Sequence, residues 1–118
     1  MHLFPSTLLL RCRPGVPLAL GSDGPLNPFL NIMFAAMNPA NPAQALTVEQ
    51  AFAAYTRGSA AAELAERQKG TIAPAMLADV ALLSQDIFTV PIGELPRTTS
   101  VLTIVNGRVV HEGPPAAR

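Results

Sequence analysis

A single carboxylate, Asp23, stands where a side chain could take part in chemistry. The apolar run of residues 17–20 stops at Gly21, and Ser22, Asp23 and Gly24 follow before a proline-bounded segment begins. An aspartate at the carboxyl end of a buried barrel strand is placed to act in catalysis. The same residues also suit a tight turn or a helix start, where Asp accepts main-chain hydrogen bonds. Spacing alone leaves both interpretations open, so the elements around Asp23 must decide between them.

Other candidate groups are few. Cys12 is the only cysteine in the sequence, which rules out an internal disulfide. A reactive thiol needs a partner base, and neither His2 nor His111 stands in a motif with Cys12, so we interpret it as a buried thiol. We expect Asp79 to be structural, hydrogen-bonded to the preceding turn, and His111 to be exposed at a strand end.

The composition excludes several function classes. The 118 residues suit one small domain, and a net charge of zero predicts no nucleic-acid partner and no membrane surface. No apolar run approaches the ~18 residues that span a bilayer, and the N-terminus lacks the charge-first pattern of a secretory signal, so we expect a cytoplasmic protein. A mean hydropathy of +0.31 indicates apolar surface that packs against something outside the chain.

Turn residues divide the first part of the chain into short elements. Residues 3–15 predict a short helix, and residues 16–21 predict a buried strand bounded by turns. Asn27 followed by Pro28 predicts a helix start, and the proline after Asn38 predicts its end. The apolar stripe expected on this helix consists of Phe29, Ile32, Met33, Ala36 and Met37.

The next helix has the clearest start signal. Thr47 and Gln50 have the spacing of a capping box, in which each side chain binds the main chain of the other. Gly58 lies within the apolar run and predicts a kink or a close packing contact. Gly70 predicts the end of the helix.

After Gly70 the pattern changes to that of strands. Residues 77–84 predict one strand, and residues 100–113 predict a hairpin whose two-residue turn is Asn106-Gly107. Residues 85–99 form a proline-punctuated connection. The early strand is apolar on both faces, as in parallel sheets, yet no parallel neighbours occur in the sequence. The chain therefore has the pattern expected for one end of a larger fold.

Four stretches together carry a family resemblance. They are a strand ending in Gly-Ser-Asp at residues 21–23, the helix "TVEQAFAAYT" at 47–56, "KGTIAPAMLADVALL" at 69–83, and the hairpin "VNGRV" at 105–109. With these stretches the chain resembles the C-terminal part of a metal-dependent amidohydrolase, in the subgroup similar to N-substituted formamide deformylases. The resemblance extends from about residue 3 to residue 112.

The resemblance implies an α/β fold: a (β/α)8 barrel with a small β-sandwich built from both chain termini. Residues 1–70 would form the last strand–helix unit of the barrel, residues 71–113 strands of the sandwich, and residues 114–118 a disordered tail. Asp23 matches the family's catalytic aspartate, which binds a divalent metal, usually zinc, and takes a proton from the attacking water. Ser22 and Gly24 would lie beside the substrate, a small amide or formamide.

The sequence also departs from the family pattern. The family's His-x-His pair, its mid-barrel lysine or acid and two further histidines all precede the aspartate, and a complete barrel takes ~250 residues. One carboxylate cannot hold a catalytic zinc, which takes about three protein ligands, so we expect no metal bound to this chain alone. Ala75 stands where the family commonly has glycine, and it would be strained if that position needs a positive φ.

Three hypotheses about function remain open. The chain could be a fragment of an amidohydrolase that is inactive alone, a subunit that completes a barrel with a separate N-terminal half, or a free-standing binding or oligomerisation module. Because the early strand and the apolar helix stripe would lose neighbours, we expect the isolated chain to be marginally stable or to form homo-oligomers.

Overall fold

The computed structural model describes residues 17–24 and 26–114. The chain forms a helical part followed by an antiparallel sheet. The predicted helix in residues 3–15 and residues 115–118 of the predicted disordered tail lie outside the described residues. The helical elements are α1 (Pro28–Met37), α2 (Val48–Ala53), a π-helical turn (Ala54–Gly58), α3 (Ser59–Ala62) and two 3₁₀ helices, Pro42–Gln44 and Ile92–Arg97. The strands are β1 (Val80–Leu83), β2 (Ser100–Val105) and β3 (Arg108–Glu112).

Helix α1 begins and ends where the sequence predicts. The Asn27 side chain accepts hydrogen bonds from the main-chain N–H groups of Phe29 and Leu30, both at 3.1 Å. Asn38 ends the helix in the left-handed conformation, with φ of 37°. The predicted stripe is only partly buried: Ile32 is in the core, whereas Met37 is 44% exposed. Ala35 is buried instead of the predicted Ala36, which is half-buried. The face of α1 that carries Ile32 and Ala35 therefore lies against the core.

The second helix starts at the predicted capping box but ends early. Thr47 accepts from the Gln50 N–H, and Gln50 Oε1 accepts from the Thr47 N–H. The expected end at Gly70 is wrong, since α3 ends at Ala62. Leu64 takes a left-handed φ of 59°, its N–H donates to the Ala61 carbonyl, and the Ala65 N–H donates to the Ala60 carbonyl. This is a Schellman motif in which leucine replaces the usual glycine, so no glycine marked the end in the sequence.

The predicted strand over residues 16–21 is a second correction. Residues 17–22 have no regular secondary structure, and no ladder to another strand forms among the described residues. A strand needs neighbours that supply hydrogen bonds along its length. Here the segment lies against the π-helical turn instead, and the Leu20 N–H donates to the Ala54 carbonyl at 3.1 Å.

The sheet has the order β1-β2-β3, and both pairs are antiparallel. The predicted turn is confirmed: Asn106 and Gly107 both have positive φ, 49° and 74°, as a type I′ turn requires. Asp79 is structural, as predicted, but its partner differs. Its Oδ1 accepts from the Asn106 N–H at 2.7 Å, across 27 residues, rather than from the preceding turn. Asp79 therefore links the start of β1 to the hairpin turn.

The core lies between the helices and the connection that precedes β2. Its buried cluster consists of Ile32, Ala35, Leu46, Ala51, Ile87 and Leu95. Phe52 of α2 meets Phe88 edge-to-face, with ring centroids 5.5 Å apart. Only Ile32 and Leu95 are large side chains that are fully buried among the described residues. In the same part of the chain, no helix is both long enough and apolar enough to cross a membrane.

Candidate functional site

Asp23 lies in a bend between residues 17–22 and α1. Its side chain is exposed, as is Gly24, while Ser22 is half-buried. A Cβ added at Gly21 or Gly24 would meet no atom within 4 Å. The structure thus brings the three predicted site residues together only as sequence neighbours, on an open loop.

Both ends of this loop are anchored to the rest of the fold. On the N-terminal side, Leu20 binds through its N–H to the Ala54 carbonyl, and its own carbonyl accepts from Ser59 Oγ at 2.6 Å. On the C-terminal side, Asn27 Nδ2 donates to the Pro96 carbonyl at 2.9 Å, while its Oδ1 caps α1. The loop carrying Asp23 therefore spans two fixed points, one on each side of the aspartate.

These anchors were missed by sequence reasoning. The sequence predicts Ser59 only as one residue of a continuous helix. The carbonyl to which its side chain donates, that of Leu20, lies 39 residues earlier in the chain. Asn27 was recognised as a cap, but its bond to Pro96 spans 69 residues. No local signal reports such distant partners. The prediction of a close contact at Gly58 is confirmed, because a Cβ there would lie 2.0 Å from the Leu18 carbonyl oxygen.

The described residues do not fit a metal ion by themselves. Among residues 17–24 and 26–114, no three His, Cys, Asp or Glu side chains come close enough to hold one. His111 is exposed on β3, as predicted. Asp23 supplies one carboxylate, and a catalytic zinc takes about three protein ligands. The other histidine and the cysteine, His2 and Cys12, lie outside the described residues.

A second candidate is an open groove of about 260 Å³ beside the π-helical turn. Its polar lining consists of Tyr55, Thr56, Ser59, Glu63, Lys69 and Asp79. Lys69 forms an ion pair with Glu63, and Asp79 holds the hairpin turn. Because these side chains already bind partners within the chain, the groove offers few free groups to a ligand. Asp23 is not among the residues that line it.

Comparison with known proteins identifies relatives over nearly the whole chain. The model of the amidohydrolase family matches residues 2–111. The Bacillus subtilis (strain 168) protein named "Putative amidohydrolase YtcJ" is 32% identical over 110 residues, covering 83% of this chain and 21% of its own length. The chain therefore spans about a fifth of that relative. No solved structure matches the chain.

Proposed function

This chain belongs to the amidohydrolase family, and we propose that it is the C-terminal part of a metal-dependent hydrolase of non-peptide carbon–nitrogen bonds. The observation that carries the proposal is the match of the family over residues 2–111, within which Asp23 lies exposed in a bend on an open loop. In this proposal Asp23 is the catalytic carboxylate that the chain contributes. Ser22 and Gly24 flank it on the substrate side.

The setting of Asp23 supports this role. Its carboxylate is exposed, and an added Cβ at either nearby glycine, Gly21 or Gly24, would meet nothing, so a substrate could approach the loop. In hydrolysis of an amide, the water oxygen forms a bond to the carbonyl carbon, and a carboxylate such as Asp23 accepts the water proton. The same carboxyl group then passes that proton to the leaving nitrogen as the carbon–nitrogen bond breaks.

The active site is complete only with groups from outside the described residues. The chain corresponds to 21% of the length of YtcJ, and the described residues contain no group of three side chains that could hold a metal ion. We propose that an N-terminal barrel part, on the same polypeptide or a separate one, supplies the remaining groups and the divalent metal site, which we expect to hold zinc. Residues 17–22 would pair there with neighbouring barrel strands.

The sheet supports the same requirement for a partner. Residues directly opposite each other in an antiparallel sheet point to the same face, so Val80, Ile104 and Val109 share one face. The next row adds Leu82 and Leu102 and ends in the charged Glu112 on β3, so the apolar residues of the face number five. We call these five residues the apolar sheet face; Leu82 and Val109 are 58% and 53% exposed. A second layer that covers this face would bury apolar surface now in contact with water.

The proposed substrates are small molecules with an amide or N-substituted formamide group. This finer assignment rests on the sequence resemblance to formamide deformylases. Hydrolysis of a formamide by the route above yields formate and an amine.

The first test is an assay of the purified chain with zinc and small amides or formamides. We expect no turnover, because one carboxylate does not make a site. Zinc-dependent turnover that disappears in Asp23→Asn would contradict the need for an N-terminal part.

The second test supplies the missing part. The nucleotide sequence upstream of Met1 should encode an amidohydrolase barrel segment with a His-x-His pair, and that segment produced together with this chain should hydrolyse formamides. Asp23→Asn should abolish this activity. Asp86→Asn is the matched control, since Asp86 is an exposed aspartate that accepts from the Phe88 N–H and lies outside the loop. An upstream sequence without amidohydrolase character would overturn the proposal.

A further inference from the structure

The π-helical turn at Ala54–Gly58 receives the main chain that leads to Asp23. In this turn the Ser59 N–H, one residue further than in an α-helix, binds the Ala54 carbonyl. The Leu20 N–H donates to the same carbonyl at 3.1 Å. The widened turn therefore exposes Ala54 O to a second, distant donor, which a regular helix interior would not do.

Ser59 closes the contact from the other side. Its Oγ lies 2.6 Å from the Leu20 carbonyl and 3.2 Å from the Ala54 carbonyl. Both main-chain groups of Leu20 are thus held by the turn: its N–H by Ala54 and its carbonyl by Ser59. A residue held at both of its polar groups has little freedom to shift along or away from the helix.

Gly58 allows residues 18 and 19 to lie close to the helical backbone. A Cβ at this position would lie 2.0 Å from the Leu18 carbonyl oxygen and 3.3 Å from the Ala19 Cα. Any side chain here would therefore push residues 18 and 19 away from the helix. Gly58 and Ser59 are adjacent, so one short stretch controls both the distance and the hydrogen bonds of the segment.

We propose that Gly58 and Ser59 are positioning residues that set the place of Asp23 through Leu18 and Leu20. This inference rests on the proposed function, because it assumes that Asp23 is the catalytic carboxylate. Only Gly21 and Ser22 separate Leu20 from Asp23, and Asn27 fixes the far end of the loop. A displacement at Leu20 is therefore passed to Asp23 rather than absorbed by a free end.

Hydrogen–deuterium exchange of the full chain, followed by mass spectrometry of the peptide over residues 17–24, tests the anchor directly. Ser59→Ala should raise exchange of the Leu20 amide by about tenfold, the factor that corresponds to loss of about 1.4 kcal/mol of protection. Ser59→Thr keeps the hydroxyl and should restore slow exchange. Gly58→Ala should raise exchange in the same peptide by displacing residue 18.

Thr56→Val is the matched control for these variants. Thr56 Oγ1 donates to the Phe52 carbonyl at 3.0 Å within the same helical run, and the bond does not involve residues 17–24. This variant should leave exchange of the 17–24 peptide unchanged. Equal exchange of that peptide in Ser59→Ala and the parent chain, or an equal rise in Thr56→Val, would overturn the anchoring role.

Kinetics of the chain completed with its N-terminal part separate positioning from simple stabilisation. Ser59→Ala should lower kcat by up to about 10²-fold with KM unchanged, and Ser59→Thr should recover it, because a displaced catalytic group slows the chemical step. Faster exchange without a change in kcat would refute positioning of Asp23 while leaving the anchor in place. Loss of activity in Asp23→Asn is measured separately. A failure of the proposed function can therefore be told apart from a failure of the positioning role.

Discussion

The helical part and the sheet of this chain are held together in different ways. Residues 28–62 contribute Ile32, Ala35, Leu46 and Ala51 to a buried cluster that is completed by Ile87 and Leu95 from the connection. In the sheet no strand residue is buried, and all five residues of β3 are exposed. The helical part depends on contacts between distant segments, whereas the sheet depends mainly on its own hydrogen bonds and turn, with Leu83 of β1 packed against the cluster.

This difference shows which part of the described chain leaves apolar surface uncovered. A hairpin with a favourable Asn-Gly turn forms from local signals, but an isolated sheet needs a layer on its apolar face for stability. The apolar sheet face lacks such a layer among the described residues, while the helical core has one. Truncation of a side chain should therefore cost much more stability in the helical core than in the sheet.

The largest expected effect comes from truncating one side chain in each region. Leu95→Ala removes a side chain with no solvent exposure and should destabilise the fold by about 2–5 kcal/mol. Val110→Ala, on an exposed strand residue, should change stability by less than about 0.5 kcal/mol. Urea unfolding followed by circular dichroism measures the free energy of unfolding of both variants. Equal losses of stability would show that the sheet is already part of the core.

A second prediction concerns association through the apolar sheet face. We expect the isolated chain to sediment as a concentration-dependent oligomer or aggregate, since unpaired edges and apolar faces recruit other copies. Val109→Lys should shift it toward monomer, because Val109 lies on that face. Thr71→Lys, at an exposed residue outside the strands, is the control for added charge. A monodisperse parent chain with a sharp thermal transition would contradict the prediction and favour a self-sufficient module.

The hairpin turn gives a smaller effect. Gly107→Ala forces alanine into a φ of 74° and should destabilise the fold by about 1–2 kcal/mol. Gly93→Ala is the matched control, because Gly93 is exposed and an added Cβ there would meet nothing within 4 Å. Thermal unfolding of both variants makes the comparison. Equal melting temperatures would mean that the turn conformation does not limit the stability of the sheet.

The strained alanine predicted from the sequence offers a stabilising change. Ala75 has a φ of 67° and is exposed, so Ala75→Gly relieves strain without removing a packed side chain. Relief of the left-handed strain outweighs the entropy that glycine adds to the unfolded chain, for a net gain of about 0.5–1 kcal/mol. Ala73→Gly, at a nearby exposed alanine without a positive φ, should instead destabilise slightly. Loss of stability in both variants would contradict this account.

The smallest effect concerns the first turn of α2. Hydrogen bonds to the Glu49 carboxylate lower its pKa. The larger effect comes from the backbone N–H of Glu49 itself, and the smaller one comes from the Thr47 hydroxyl. A pKa lowered in the folded state stabilises the fold above the unfolded pKa, and that contribution is lost as the pH falls through the folded pKa. Thr47→Ala should raise the pKa of Glu49 partway toward its usual value, as followed by NMR titration. An unchanged pKa would mean that the backbone alone causes the shift.

Local signals predicted the starts of the two main helices and the hairpin turn. The cap at Asn27, the capping box at Thr47 and the turn at Asn106-Gly107 all form as expected, because each depends on groups a few residues apart. The exposed loop position of Asp23 also follows from its glycine neighbours. Its catalytic role stays a proposal, since the groups that would complete the site lie outside the described residues.

Two of the three failed predictions depended on partners far away in the chain, and one was local. The local one is the end of α3 at Ala62, which is followed by a left-handed Leu64 that neither composition nor spacing indicates. Residues 17–22 have the composition of a strand, yet no described strand pairs with them, so they bind the π-helical turn instead. Asp79 was expected to bind its own turn and binds the hairpin turn 27 residues later.

The sequence by itself determined the caps, the hairpin turn, the strain at Ala75 and the family, because each follows from residue types at short spacing or from a pattern along the whole chain. Only the tertiary structure decided what holds the two ends of the loop around Asp23. The Ser59–Leu20 and Asn27–Pro96 bonds join residues 39 and 69 positions apart. Such bonds form when packing of whole elements brings their donors and acceptors together, and no local conformational preference specifies them.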